Sequence, residues 1–217
     1  SQPPRRIISL VPSQTELLFD LGLQSKIVGI TKFCIHPVDK VKFVTKIGGT
    51  KNFDFEVIKS LKPDLIIGNK EENYEEGIIT LQNDFTVWMS DIFTLQDALD
   101  MICKVGQLVE KEPKATTIAT NISNSFSQLP ALYSSKPTAA YFIWRKPFMA
   151  AAKDTFIDNM LQKAGFTNVF NHLCRYPEIN PLQLHSANPD FIFLSSEPYP
   201  FKQKHIAELQ EICPLSR

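Results

Sequence analysis

The sequence predicts an α/β fold of two doubly wound lobes, and three observations lead to this prediction. Short β-branched runs alternate with segments of helical period in residues 1–94 and again in residues 133–217, as in parallel sheets covered by helices. Residues 95–132 show helical periodicity and no strand signal. A motif of helix, x-Pro-Asp and apolar strand occurs on both sides of that segment. We therefore expect an N-terminal lobe, one long connecting helix and a related C-terminal lobe.

The first segment, residues 5–23, has the pattern of a strand, a tight loop and a helix. Residues 6–11 form a short apolar run typical of a strand buried on both faces. Ser13 stands three residues before Glu16 and just ahead of an apolar run, a spacing that predicts a capping box at the start of the helix. A strand that leads into a helix places free backbone amides at the carboxyl edge of the sheet, where open α/β sheets bind ligands.

The rest of the N-terminal lobe continues the alternation. The patterns predict strands near 27–30, 41–44, 65–68 and 85–89, and helices near 55–61 and 73–82. Between them, Gly48 and Gly49 mark a turn that allows close approach of the backbone to another group. The G-G-T-K letters at this turn lack the spacing of a phosphate-binding loop, so we do not expect a nucleotide site.

The C-terminal lobe repeats the pattern of the first. It has a predicted strand at 138–143, a loop at 144–149, a helix at 154–164 and a short strand at 169–170. Residues 186–194 then match residues 60–68 at a shift of 126 positions (190 minus 64). The same shift places the counterpart of the 85–89 strand at about residue 211 or beyond. We therefore expect the C-terminal lobe, 133–217, to lack a last strand and a closing helix, which would leave a sheet edge uncovered.

Composition narrows the classes of function. Lys plus Arg equals Asp plus Glu at 23 each, so no net field draws the chain as a whole to a nucleic acid or to an anionic membrane. The four cysteines are widely spaced without C-x-x-C, which argues against a structural zinc site or a disulfide framework. No G-x-S-x-G, Walker sequence or adjacent Cys–His pair is present. We expect no catalytic residues, and hence a protein that is not an enzyme.

Three stretches of the chain carry a family resemblance. R-I-I-S-L-V-P-S-x-T-E-L-L-F-x-L-G-L, I-V-G-I-T and L-K-P-D-L-I-I, followed by the helical segment and a second P-D strand, resemble the substrate-binding proteins of ABC importers for cobalamin, haem and iron–siderophore complexes. The cobalamin-binding branch is the most similar. The resemblance implies a periplasmic or other extracytoplasmic monomer that needs no cofactor, binds its ligand between two lobes and delivers it to the membrane subunits of an importer.

The resemblance also implies a set of binding residues at the ends of strands. They are Pro12, Ser13, Phe33, Gly48, Gly49, Asn69 and Lys70 in the first lobe, and Trp144, Arg145, Phe148 and Tyr176 in the second. The aromatic rings offer broad faces to a planar ligand, and the two cations can meet amide or carboxylate edges. In the cobalamin-binding branch, tryptophan is expected near the Gly48 and Asn69 positions, and this chain has tryptophan at neither. The ligand could therefore also be a related corrinoid, haem or an iron chelate. Docking on the importer is implied for Glu56 and Glu197.

Two alternatives remain at this point. A zinc- or manganese-binding protein of similar architecture would need His36, His172 and His185 to converge on one point. A cytosolic α/β enzyme would need a nucleophile with its base, or a phosphate loop.

Overall fold

The computed structural model describes residues 2–129 and 136–217. Contacts between residues divide the chain into two compact units: an N-terminal unit of residues up to 92 and 97–123, and a C-terminal unit of residues 93–96 and 124–217. Each unit contains a parallel sheet and helices, so the α/β class is confirmed. No helix within the described ranges combines the length and the hydropathy that crossing a bilayer requires.

The N-terminal unit is built on a five-stranded parallel sheet. Its strands and the adjoining hairpin are β1 (Ile7–Ser9), β2 (Ile27–Ile30), β3 (Thr45–Lys46), β4 (Gly48–Gly49), β5 (Asn52–Phe53), β6 (Leu65–Asn69) and β7 (Val87–Ser90). The sheet order is β3-β2-β1-β6-β7, while β4 and β5 pair separately. Ile7 and Ile8 are both fully buried but belong to different cores. The period of two thus places a core on each face of the sheet, as the uninterrupted apolar run predicts.

Helices cover both faces of this sheet. They are α1 (Pro12–Asp20), α2 (Val38–Val41), α3 (Phe55–Leu61), α4 (Glu75–Gln82), α5 (Leu95–Leu108) and α6 (Glu112–Ser127), of which the last two extend beyond the N-terminal unit at one end. α1, α5 and α6 supply the core on one face, and α3 and α4 supply the core on the other.

Two local predictions in this unit are wrong. α1 begins at Pro12 with Val11 as its N-cap and without a side-chain cap, so Ser13 lies inside the first turn and forms no capping box with Glu16. Proline has no backbone N–H to satisfy and its fixed φ suits the first helical position, which explains the earlier start. Residues 41–44 are not a strand, because the one-turn helix α2 buries Val41 and the strand starts later, at β3.

The predicted helical segment 95–132 contains two helices where one long helix was expected. α5 ends at Leu108, Glu110 has a positive φ of 55°, and α6 starts at Glu112. The two helices pack closely, because a Cβ on Gly106 would overlap the Cβ of Ala115. Because α6 starts at Glu112, Pro113 lies in its first turn. Backbone N–H groups in the first turn have no partner within the helix, so the proline costs no hydrogen bond there. Residues 130–132 of the predicted connector and residues 133–135 of the predicted C-terminal lobe lie outside the described residues.

The C-terminal unit has a smaller sheet of the same kind. Its elements are β8 (Thr138–Trp144), β9 (Met149–Ala150), α7 (Phe156–Lys163), β10 (Thr167–Asn168), α8 (Pro181–Ala187), β11 (Phe191–Leu194) and α9 (Gln203–Ile212). The parallel order is β10-β8-β11, and β9 pairs antiparallel with β8. This order corresponds to β2-β1-β6 of the N-terminal unit.

The repeated x-Pro-Asp motif has the same conformation in both units. Lys62 and Asn188 close α3 and α8 in the left-handed region, with φ of 44° and 39°. The carboxylate two residues later then accepts a backbone N–H at the start of the neighbouring central strand. Asp64 accepts from Arg6 at 2.9 Å, and Asp190 accepts from Thr138 at 2.7 Å. The sequence repeat is thus a repeat of hydrogen bonding.

The correspondence extends to the last residue of the chain. Ile66 donates its backbone N–H to the carbonyl of Thr86 at 2.9 Å, just before β7 begins. Its counterpart, Ile192, donates to the carbonyl of Arg217, also at 2.9 Å. Arg217 therefore occupies the position in the C-terminal unit that corresponds to Thr86 in the N-terminal unit.

Candidate functional site

Three adjacent strands of the N-terminal sheet end in predicted binding residues. β1 leads into Pro12 and Ser13, β2 is followed by Phe33, and β6 ends at Asn69 just before Lys70. The carboxyl ends of neighbouring parallel strands share one sheet edge, so the fold brings these loops together. Ser13 and Lys70 are exposed, and Pro12 is half-buried.

The glycine turn supports the ring of Phe33. Gly48 has φ of 95°, and a Cβ there would overlap the carbonyl oxygen of Asn52. Gly49 is buried, and a Cβ there would lie 3.3 Å from Cε2 of Phe33. Phe33 itself remains 51% exposed, with Nζ of Lys32 5.2 Å from its ring centroid. The turn therefore presents an aromatic face at the sheet edge without enclosing it.

The side chain of Asn69 is hydrogen-bonded inside the protein and does not face the sheet edge as a free binding group. Its side chain is buried, its Nδ2 donates to Oγ of Ser90 at 3.0 Å, and its Oδ1 accepts the backbone N–H of Glu71 at 2.9 Å. Gln14, also buried, donates to the same Ser90 hydroxyl at 2.7 Å. These contacts fix the turn after β6. Sequence reasoning missed Gln14 and Ser90 because the contact joins residues 76 positions apart.

The cation at this edge already has a partner. Nζ of Lys70 lies 2.9 Å from a carboxylate oxygen of Asp91, which follows β7. Both side chains are substantially exposed, so the pair contributes less than about 1 kcal/mol to stability. Its local effect is to balance the charge of the Lys70 loop.

In the C-terminal unit, the carboxyl end of β8 carries a partly exposed indole. Trp144 is 39% exposed, and the ring of Tyr199 packs edge-on against it at 5.5 Å between centroids. Tyr199 is not among the residues that the sequence predicted, because it lies 55 positions away (199 minus 144) in the loop after β11. Only the fold brings the two rings together.

A buried histidine holds Tyr199 in place. Nδ1 of His205 accepts the backbone N–H of Lys202 at 2.8 Å, so the neutral ring carries its proton on Nε2, which lies 3.3 Å from the Tyr199 hydroxyl. Burial, together with the positive charges of Lys204, Arg145 and Lys202, lowers the pKa of His205. The ring is therefore neutral, and able to keep this arrangement, at neutral pH.

Arg145 also has a carboxylate partner. Its Nε and Nη2 donate to the two carboxylate oxygens of Glu208 at 2.6 and 2.8 Å. The guanidinium carbon lies 5.8 Å from the ring centroid of Phe148, which packs against the core residue Phe142. Beside this pair is a pocket of about 460 Å³ between the turn after β8, the start of α8 and α9. Glu178, Asn180 and Gln183 contribute to its wall.

Tyr176 lies in the loop that follows β10. Its ring centroid is 5.5 Å from the guanidinium of Arg175, which also lies 5.3 Å from the ring of Phe93. Arg175 donates to the carbonyl oxygen of Asp154 at 2.9 Å and has a positive φ of 62°. Arg175 therefore fixes the orientation of the half-buried Tyr176, a role that no pattern in the sequence indicates.

The two predicted docking carboxylates occupy different structural positions. Glu56 is exposed in the first turn of α3, whereas Glu197 is exposed in the loop after β11. The 126-residue shift places Leu182 of α8, not Glu197, at the position of Glu56. Leu182 is 78% exposed.

The histidines do not form a metal centre in the described part of the chain. His36, His172 and His185 are exposed, and Nδ1 of His185 lies 2.9 Å from the carbonyl oxygen of Ile212. Residues 2–129 and 136–217 contain no group of three or more His, Cys, Asp or Glu side chains that could hold a metal ion. The four cysteines are free thiols.

Comparison with known proteins gives one consistent result. Residues 7–211 match the model of a family described as periplasmic binding protein. The vitamin B12-binding protein of Vibrio parahaemolyticus is 25% identical over 199 residues, which cover 90% of this chain and 72% of that protein.

Solved structures of similar fold include binding proteins for two kinds of ligand. The periplasmic vitamin B12 binding protein BtuF of Vibrio cholerae has a TM-score of 0.78 and 25% identity, with 95% of this chain and 79% of that chain covered. A periplasmic heme binding protein from Pseudomonas aeruginosa has a TM-score of 0.83 and 20% identity, with coverages of 97% and 78%, and shows likeness of fold alone.

Proposed function

This chain belongs to the periplasmic binding protein family, and we propose that it captures a large metal-containing cofactor and delivers it to an ABC importer. The chain is a binding protein and not an enzyme. Binding proteins of this kind carry a transported ligand and need no cofactor. Among the ligands left open by the sequence, we propose a corrinoid ahead of haem or a ferric siderophore. The named ligand of the similar B12-binding proteins supports this order.

The main support is the exposure of one aromatic face at the carboxyl edge of each sheet. Phe33 is 51% exposed in the N-terminal unit, and Trp144 is 39% exposed in the C-terminal unit. Large aromatic rings left partly in water at the ligand edge of an α/β sheet are typical of binding sites for ring systems. Each ring is held from behind, Phe33 by Gly49 and Trp144 by Tyr199.

Charge supports a corrinoid over haem. Lys70 is paired with Asp91, and Arg145 is paired with Glu208. A ligand carboxylate that approached either cation would meet the partner carboxylate as well, and like charges at close range are unfavourable. A corrinoid rim of neutral amides meets no such repulsion, because amides can both donate and accept hydrogen bonds.

The binding contacts differ from those expected in the cobalamin-binding branch. The backbone at Gly48 leaves no room for a side chain, and the side chain of Asn69 is used inside the protein. We therefore assign the ring contact of the N-terminal unit to Phe33. The other proposed contacts are Pro12, Ser13, Gly48, Gly49, Lys70, Trp144, Arg145, Phe148 and Tyr176, with Asn69 shaping its loop.

Delivery requires contact with a membrane partner. We propose an extracytoplasmic location, as for the periplasmic relatives, and a monomer that docks on importer subunits through Glu56 and Glu197. Substituting both glutamates by glutamine should slow ligand uptake with reconstituted importer while ligand affinity stays unchanged. Loss of affinity in the double variant would instead assign these residues to the binding site.

Calorimetry tests the ligand directly. We expect cyanocobalamin or cobinamide to bind at micromolar concentration or below, and haem and a ferric siderophore to bind more weakly. Tighter binding of haem would exclude the corrinoid preference. Absence of binding by all four ligands would contradict the proposed function.

A further inference from the structure

A loop at the edge of the N-terminal sheet exposes apolar side chains that the proposed ligand site does not use. The loop comprises residues 35–46, from the turn after β2 to the end of β3, and is referred to as the basic apolar loop. Ile35 is 57% exposed, Val38 is 64% exposed and Phe43 is 82% exposed. Burying such side chains is favourable, so three of them in one short loop offer a surface that a partner could cover.

The same loop is positively charged. Lys40, Lys42 and Lys46 stand against Asp39, which leaves a formal charge of +2 on the loop in a chain whose formal net charge is zero. All three lysines are exposed. Nζ of Lys42 lies 4.9 Å from the ring centroid of Phe43, so a cation and an exposed aromatic face occur at one place.

The fold holds this loop in a defined position. Ile30 at the end of β2 pairs with Lys46 in β3, which fixes the second end of the loop against β2. Nζ of Lys46 also donates to the carbonyl oxygen of Cys34 at 3.1 Å, while Val41 is buried in the core. The exposed side chains are therefore displayed by an anchored segment at the edge strand of the sheet.

We propose that the basic apolar loop binds the surface of an anionic membrane. Three apolar side chains supply far less than the roughly 800 Å² that each partner buries in a standard protein–protein interface. A membrane needs no matching shape: a few inserted apolar groups together with lysines near anionic headgroups are sufficient for reversible binding. The positive charge of the loop is complementary to such headgroups. This inference is independent of the identity of the transported ligand.

Sedimentation with lipid vesicles tests the inference. The wild-type protein should pellet with vesicles of phosphatidylglycerol and phosphatidylcholine in equal parts at low salt, and should stay in solution with phosphatidylcholine alone. Lys40→Gln with Lys42→Gln should weaken binding to the anionic vesicles by about tenfold or more. Val38→Ser with Phe43→Ser should weaken it by a similar factor, because the inserted apolar area is lost.

Matched variants in the C-terminal unit separate this loop from general effects. Leu182→Ser removes an apolar side chain that is 78% exposed, and Lys153→Gln with Lys163→Gln removes two exposed lysines. Both controls should bind vesicles as the wild type does. The inference is overturned if the wild type binds neither vesicle, if it binds both equally, or if the controls lose as much affinity as the loop variants.

Discussion

Arg145 and Glu208 form a two-point ion pair, with Nε and Nη2 of the arginine 2.6 and 2.8 Å from the carboxylate oxygens. The pair joins the turn after β8 to α9, and both side chains are mostly shielded from water. Bidentate charge-assisted hydrogen bonds of this kind hold a guanidinium in one orientation. The pair therefore fixes the position of Arg145. It also neutralises the positive charge of Arg145 at the surface beside Trp144.

Removing the carboxylate should change the ligand preference. In Glu208→Gln, Arg145 keeps its charge and loses the opposing one, so a ligand carboxylate gains an attractive partner. We expect the affinity for haem, relative to cyanocobalamin, to rise by about tenfold, which corresponds to roughly 1.4 kcal/mol. Calorimetry with both ligands measures the ratio. Glu211→Gln, which removes an exposed carboxylate from the same helix, should leave the ratio unchanged; an equal change in both variants would contradict the assignment.

Trp144 should contribute to binding more than to stability. Trp144 is 39% exposed, so Trp144→Ala should lower the affinity for the ligand by more than about 1 kcal/mol while the unfolding midpoint in urea changes little. Tyr199→Leu, which removes the supporting ring, should weaken binding less. A large loss of stability with unchanged affinity would place Trp144 in the core of the unit.

Gly48 should be intolerant of any side chain. Its φ of 95° is unfavourable for other residues, and a Cβ would overlap the carbonyl oxygen of Asn52. We expect Gly48→Ala to lower the free energy of unfolding by about 1–3 kcal/mol, as urea denaturation would measure. Gly165 is the matched control, since its φ is 88° and no atom lies within 4 Å of the added Cβ. Equal losses would show that backbone strain alone, without the overlap, explains the cost.

Asp190 should make stability sensitive to acid. Its hydrogen bonds from the backbone N–H and hydroxyl of Thr138 hold the pKa of the carboxyl below its usual 3.8. A carboxyl with a lowered pKa in the folded state stabilises the protein above the unfolded pKa, and this contribution is lost as pH falls through the folded value. The stability advantage of wild type over Asp190→Asn should thus be constant above about pH 5 and shrink below about pH 4. An advantage that does not vary between pH 7 and pH 3 would contradict this role.

Regular features of the fold were predictable from the sequence. The alternation of apolar runs placed β1, β2, β6 and β8 because burial on both faces leaves an unambiguous pattern. The repeat was visible because Asp64 and Asp190 carry the same hydrogen bond and therefore require the same letters. The spacing of Ser13 and Glu16 misleads about the start of α1, because Pro12 suits the first helical position. The one-turn helix α2 was not predictable from side-chain patterns, since the burial of Val41 decides it.

The candidate site was predictable only in part. Residues at or just beyond the carboxyl ends of strands, such as Trp144 and Phe33, could be selected because parallel strands end at one edge of the sheet. The partners that position them could not, because Tyr199 and Glu208 come from distant segments that only folding brings near. Pairing of both cations with carboxylates, which bears most on the choice of ligand, was likewise invisible in the sequence.

The fluorescence of Trp144 during ligand titration tests the central proposal most directly. The chain has two tryptophans, and Trp88 packs against the core of the N-terminal unit, so Trp88→Phe leaves Trp144 as the only reporter. Cyanocobalamin and cobinamide absorb light in the range of indole emission and would quench an indole that lies against them. We predict saturable quenching with a midpoint at micromolar concentration or below. Quenching that rises only linearly, as from collisions in solution, for both corrinoids and for haem would contradict the account.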